Sequence, residues 1–300
     1  MASIWVLPSV YLVIGAWHVV AAQVAADVMG LPRRCPLLAK WTVGALAHYV
    51  VHRALDSVVE VTQPGSFARS LLLYSRMTEL LWVLYRGVSD VLNCRIMTDI
   101  PSHRVRYSVA NIGKGVVLAI LTFACIPYMS DMFHLAVGEA PFYKHLPLAK
   151  WIQTCMLVYG ATDLAQFGNV RMNRVTLAHH VLTSFVGAAA HFIPVPVPPL
   201  ITALAFFGLT SSATFLVNIY LGVRHLWPNA GWLSILRSCA FYTYQAILGV
   251  NGGIQLALVI VAYQNATDVW TYLTTTSYVA MISVFLYADI VLLRALAPGN

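Results

Sequence analysis

The chain has 300 residues, 59% of them hydrophobic and 10% charged, with 18 Lys plus Arg against 11 Asp plus Glu for a formal net charge of +7. A soluble domain needs roughly 25% charged residues to cover its surface. This composition, with a mean hydropathy of +0.73, therefore excludes an ordinary soluble enzyme, a disordered regulator and a disulfide-stapled secreted module, and points to an integral membrane protein.

A membrane-spanning helix needs ~20 mostly apolar residues, and the first candidate, Ile4 to Met29, follows at once from the N-terminus. It has no Arg-rich presequence and its apolar run is long for a signal peptide, so it reads as a first membrane anchor. The second and third candidates, Leu38 to Glu60 and Arg69 to Leu92, are the weakest. They carry His48, His52, Arg53, Asp56 and Glu60, then Arg76, Glu79, Arg86 and Asp90, an expensive load for hydrocarbon. These two either span or lie on the surface as amphipathic helices. Arg76 with Glu79, and Arg86 with Asp90, are spaced as intrahelical ion pairs.

Six further candidates follow: Tyr107 to Met129, Leu148 to Gly168, Arg174 to Ile193, Leu200 to Gly222, Leu233 to Tyr263 and Val269 to Leu296. The segment Pro194 to Pro199, PVPVPP, makes a rigid extended turn between two of them. The loops are short, so no soluble second domain fits. The expected fold is an all-α integral membrane protein of seven to nine helices.

Basic residues test this count independently. If each candidate crosses once, one side, called side A, collects Arg33, Arg34, Arg95, Arg104, Arg106, Arg171, Arg174, Arg224, Arg237 and Arg294. The other side holds Arg69, Lys144 and Lys150. The positive-inside rule then puts side A and the C-terminus in the cytosol or a mitochondrial matrix, with the N-terminus outside. Dispersed charge of this kind marks topology and speaks against nucleic acid as a partner. Trp5, Trp41, Trp151, Trp227, Trp232 and Trp270 fall near helix ends, where the indole prefers the headgroup zone, whereas Trp17 and Trp82 do not. Cys35, Cys94, Cys125, Cys155 and Cys239 show neither a CxxC pair nor a zinc spacing and read as free thiols.

From about Tyr107 to the C-terminus, four segments resemble the TLC-domain family, the membrane fold of ceramide synthases and several smaller lipid-associated proteins. They are Tyr159-Gly160-Ala161-Thr162-Asp163 closing a helix, His179-His180-Val181-Leu182-Thr183 on the next, Thr210 to Asn218 with one additional residue before Asn218, and Asn251-Gly252 inside a long helix. The resemblance implies a TLC-like bundle over residues 107–300, preceded by an N-terminal part, residues 1–106, that holds the anchor and the two weaker helices. Ceramide synthases carry a second acidic and histidine cluster downstream of the paired histidines. The corresponding stretch here, Phe206 to Arg224, has no Asp, Glu or His. The Arg that commonly follows the Asn-Gly helix in relatives is also replaced, with Tyr263 near that place.

Depth gives a geometric argument of its own. Asp163 lies ~7.5 Å inside its helix exit on side A and His179 ~7.5 Å inside the next helix, at 1.5 Å per residue. The same arithmetic puts Lys114 and Asp289 at roughly 10 Å and Asn218 at roughly 6 Å. Five helices thus bring polar groups into one layer, and two readings of it are open. In the structural reading, Asp163 holds an imidazole and Lys114 pairs with Asp289 to lock helices together. In the functional reading, Lys114, Asp163, His179, His180, Thr183, Asn218 and Asp289 line a lipid-headgroup cavity open to side A. Adjacent histidines point about 100° apart on a helix, so one of the two at most serves as a base oriented by Asp163.

Two places carry metal-ligating residue types. His179, His180 and Asp163 lack a third good ligand, and His48, His52 and Asp56, spaced along one helix face, stand alone where metal-dependent lipid oxidases need several such clusters. No metal and no cofactor is expected. Three functions follow: a TLC-like protein that binds or handles a membrane lipid without ceramide synthase activity; a structural accessory subunit of a large complex, for example a mitochondrial respiratory or ATP synthase assembly; and a lipid N-acyltransferase. The last would use acyl-CoA as substrate, with His179, His180 and Asp163 as catalytic residues. Partners are therefore membrane lipids and, in the second case, other membrane subunits. The expected membrane is the endoplasmic reticulum or the mitochondrial inner membrane; the C-terminal APGN carries no KDEL-type signal.

Overall fold

The computed structural model describes residues 66–97, 99–128, 146–167, 169–192 and 198–297. The candidates Ile4 to Met29 and Leu38 to Glu60, with His48, His52 and Asp56, lie outside the described residues. Within the described residues every element is helical: α1 (Ser66–Arg95), α2 (Ser102–Cys125), a short 3-10 turn (Ile126–Tyr128), α3 (Leu146–Leu164), α4 (Arg174–Phe192), α5 (Pro198–Ser212), α6 (Phe215–Leu226), α7 (Leu233–Gln264) and α8 (Val269–Leu296). Four stretches are long and apolar enough to cross a membrane: Ser102–Tyr128, Thr202–Leu226, Leu233–Gln264 and Val269–Leu296.

The helix ends follow from local chemistry. Pro127 withholds a backbone donor just after α2, and Pro198 and Pro199 sit in the first turn of α5, where a missing N–H costs nothing. Asp268 caps α8: its Oδ1 accepts from the Trp270 and Thr271 backbone N–H groups at 2.8 and 3.0 Å, and its Oδ2 accepts from the Thr271 hydroxyl at 2.7 Å. These bonds, the Thr271 hydroxyl first, hold the Asp268 carboxyl below the usual carboxylate range.

The single helix expected over Leu200 to Gly222 is in fact two, α5 and α6, interrupted at Ala213 and Thr214. Thr210, Ser212 and Thr214 turn their hydroxyls back onto the carbonyls of Phe206, Leu209 and Ser211 at 2.7, 2.7 and 2.6 Å. Such back-bonding competes with the helical ladder, and the Thr214 N–H has moved to the Ser211 carbonyl in a 3-10 pattern.

α1 is a full member of the bundle. It runs alongside α3 in the same direction, with Tyr74 beside Leu157 and Ala161, and Asn169 donating to the Trp82 carbonyl at 3.5 Å. Its buried face carries Tyr74, Thr78, Glu79, Trp82 and Ser89, while Leu80, Leu84, Val88 and Val91 are exposed. That is the reverse of an amphipathic helix on a surface, whose polar face is outward. Burial in this bundle also explains why Trp82 does not mark a helix end, whereas Trp227, Trp232 and Trp270 do and are exposed. The expected Arg86–Asp90 pair forms, Nε to Oδ2 at 3.3 Å, and Arg106 approaches the other oxygen at 3.9 Å.

Around the bundle, α2, α3, α4, α8, α7 and α6 follow one another in a ring, each packed on the next, and α6 closes back on α2. Glycines set the two closest pairings. A Cβ on Gly187 of α4 would stand 2.5 Å from the Met156 carbonyl oxygen of α3, and one on Gly222 of α6 would stand 2.8 Å from the Ser108 carbonyl oxygen of α2. The Ser184 hydroxyl adds a bond to the Gly160 carbonyl at 3.2 Å across α3 and α4. α5 enters the ring at the end away from side A, where Leu200, Ala203, Phe206 and Phe207 meet Met156, Leu258, Ile282 and Phe285 in the main apolar core. Gln255 ties this end together: its Nε2 donates to the Ala203 carbonyl at 2.7 Å and to Asn251 Oδ1 at 3.1 Å, and its Oε1 accepts from the Tyr278 hydroxyl at 2.6 Å. With α5 filling one end, the side-A end of the ring stays open.

Candidate functional site

That open end is a cavity of about 320 Å³. Lys114, His179, Asn218 and Asp289, four of the five residues expected at one depth, line it together with His180. Asp163 stands behind the wall, fully buried, and Thr183 is spent locally, its hydroxyl donating to the His179 carbonyl at 2.9 Å.

Asp163 is the centre of the polar layer. Its Oδ1 takes an ion pair and hydrogen bond from Lys114 Nζ, and His180 Nδ1 approaches the same oxygen at 2.7 Å, off the line of a hydrogen bond. Lys114 also lies over the Tyr159 ring, 5.2 Å from its centroid. The pairing expected between Lys114 and Asp289 does not form: Lys114 goes to Asp163, and Asp289 instead accepts from the Tyr244 hydroxyl at 2.6 Å. Equal depth does not say which helices are neighbours. Asp163 on α3 lies beside α2 and α4, whereas Asp289 on α8 lies beside α7, which carries Tyr244.

The two histidines diverge as their helical spacing requires. His180 turns to Asp163, while His179 packs edge-on against Phe285 with ring centroids 5.3 Å apart. With Nδ1 of His180 beside the Asp163 carboxylate, Nε2 is the nitrogen left for a ligand. Among the described residues no three His, Cys, Asp or Glu side chains converge as metal ligands.

Several lining residues were not singled out from the sequence as site residues. In the sequence Arg171 and Arg224 mark topology, Tyr107 begins a helix, Gln166 and Ile247 lie about a turn from Asp163 and Asn251, and Tyr244 carries no signal. The lining is also segregated. α2, the α3–α4 turn and α4 supply Asn111, Lys114, Gln166, Arg171, Thr176, His179 and His180, with Val170, Met172 and Val175 among them, and α7 and α8 supply Ile247, Leu248, Ala288, Val291, Leu292 and Ala295 together with Tyr244, Asn251 and Asp289. A polar wall thus faces a largely apolar one.

Residues of the four segments 159–163, 179–183, 210–218 and 251–252 meet here as well. Tyr159 lines the cavity with Asp163 behind it, and His179, His180, Thr210, Asn218 and Asn251 all line it. No protein-family model matches the chain, and no curated protein or solved structure matches it.

Proposed function

We propose that the chain is a multi-pass membrane protein that binds a membrane lipid in this cavity, as a TLC-like lipid-handling protein without ceramide synthase activity. The observation that carries the reading is the segregated lining: an amphiphile presents a polar head to Lys114, His180 and Asn111 while its chain lies against Ile247, Leu248 and Leu292. The convergence of the four TLC-like segments on the same space supports it.

Native mass spectrometry of the protein, purified in mild detergent, tests the proposal. One lipid class is expected to be retained at defined stoichiometry, and Leu248→Trp, which fills the cavity from its apolar side, is expected to expel it. A protein that retains nothing, or a Leu248→Trp variant that retains as much, refutes the reading.

A second reading, acyl transfer from acyl-CoA to a long-chain amine, is favoured by one contact, the carboxylate of Asp163 orienting His180. It predicts product formation in liposomes that is lost in His180→Ala. No product from the lipid-loaded protein would remove it.

A further inference from the structure

We infer that the mouth of the cavity is a phosphate site, in which Gln166, Arg171 and Arg224 hold the phosphate of an anionic amphiphile, an assignment that rests on the lipid reading above. Unsatisfied atoms give the first argument. Gln166 is 2% exposed and lines the cavity, yet its Nε2 has no partner, and the buried Nε of Arg224, on α6, has none either. Both are N–H donors. A buried donor without an acceptor is unfavourable until a ligand supplies one, so the mouth is built for a group rich in acceptor oxygens.

Charge gives the second argument. Arg171 and Arg224 both line the mouth, and α4 begins there, with Asn173 and Thr176 in the lining and its N-terminal N–H groups at the same end. Asn173 Oδ1 takes the Thr176 N–H at 2.8 Å, which fixes that first turn. Arg224 is held in place over the Tyr220 ring, 5.9 Å from its centroid. The acids lie deeper: Asp163 is enclosed by Lys114 and His180 behind the wall, and Asp289, which lines the same cavity, bonds Tyr244 and sits about 10 Å in from the end of α8. Guanidinium groups suit a phosphate because their fork of donors matches adjacent oxygens, and donors supplied by the α3–α4 turn and by α6 can share the oxygens of one tetrahedral group.

The test uses the full chain in mild detergent, titrated in native mass spectrometry with dioctanoyl phosphatidic acid, with dioctanoylglycerol and with inorganic phosphate. Phosphatidic acid is expected to bind at least about tenfold more tightly than the diacylglycerol, the size of one charge-assisted hydrogen bond. Arg224→Gln is expected to remove about tenfold of that affinity and to leave diacylglycerol binding unchanged. Arg171 is exposed on a turn, so Arg171→Gln keeps the fold and provides the same readout if Arg224→Gln does not fold. Equal binding of the two lipids, or phosphatidic acid binding untouched by the arginine substitutions, overturns the phosphate site while leaving the lipid reading intact. If inorganic phosphate alone binds, in a manner sensitive to Arg171→Gln, the site stands with a soluble phosphate as its ligand and the lipid reading falls. Binding of none of the three removes both.

Discussion

Asp163 has no exposed surface, and one of its oxygens serves both Lys114 from α2 and His180 from α4. Removing one partner of a buried pair leaves the other charge uncompensated, which costs roughly 3–5 kcal/mol, whereas replacing both with apolar residues of similar size is often close to neutral. Asp163→Ala is therefore expected to lower the thermal unfolding temperature in detergent markedly, and the double substitution Lys114→Met with Asp163→Leu to recover most of that loss. A double variant as unstable as the single one would show that Lys114 is not the charge that Asp163 balances. The sequence already displayed Asp163, His179, His180 and Lys114 as ionisable groups at one depth in apolar helices. It did not display who pairs with whom, because pairing depends on which helices are neighbours. Gln166 and Arg224 were illegible for a related reason: a polar residue near a helix end looks the same whether it faces solvent or a cavity.

The helices themselves were more legible than their irregularities. Seven of the nine apolar runs fall on described residues, and each appears as helix, most within a few residues of the expected bounds. The break between α5 and α6 depends on hydroxyls at Thr210, Ser212 and Thr214 choosing backbone carbonyls over other partners, a choice set by packing. The orientation of α1 likewise needed neighbours, since its charged residues fit a surface helix as well as a buried polar face. Glycine positions separate packing from propensity. Gly187→Leu puts side chain where the Met156 carbonyl stands and is expected to destabilise by about 1–3 kcal/mol or more. A Cβ on Gly253 of α7 meets nothing within 4 Å, so Gly253→Ala is expected to stabilise by roughly 0.5–1 kcal/mol through helix propensity. Thermal unfolding of the two variants side by side checks the contrast; equal effects would mean that α3 and α4 are not in close contact at Gly187.

Across the molecule, the ring of α2, α3, α4, α8, α7 and α6 and the alternation of loop charge make one arrangement. The turn between α6 and α7, around Asn229, belongs to the Arg-rich side, and the turn between α7 and α8, around Ala266, to the opposite side. A protease site inserted at Asn229 is expected to be cut only from the face that holds the C-terminus, and one inserted at Ala266 only from the other; cutting of both from one face would refute the topology. The amino-acid order is sufficient for the helical class, for the place of each apolar run and for the distance of each polar residue from its helix end, because all of these are properties of a segment. The ring closure, the filling of one end by α5, the Lys114–Asp163 and Tyr244–Asp289 partnerships and the wall of donors at the mouth came from three-dimensional packing, since each joins residues far apart in the chain through contacts that no segment contains by itself.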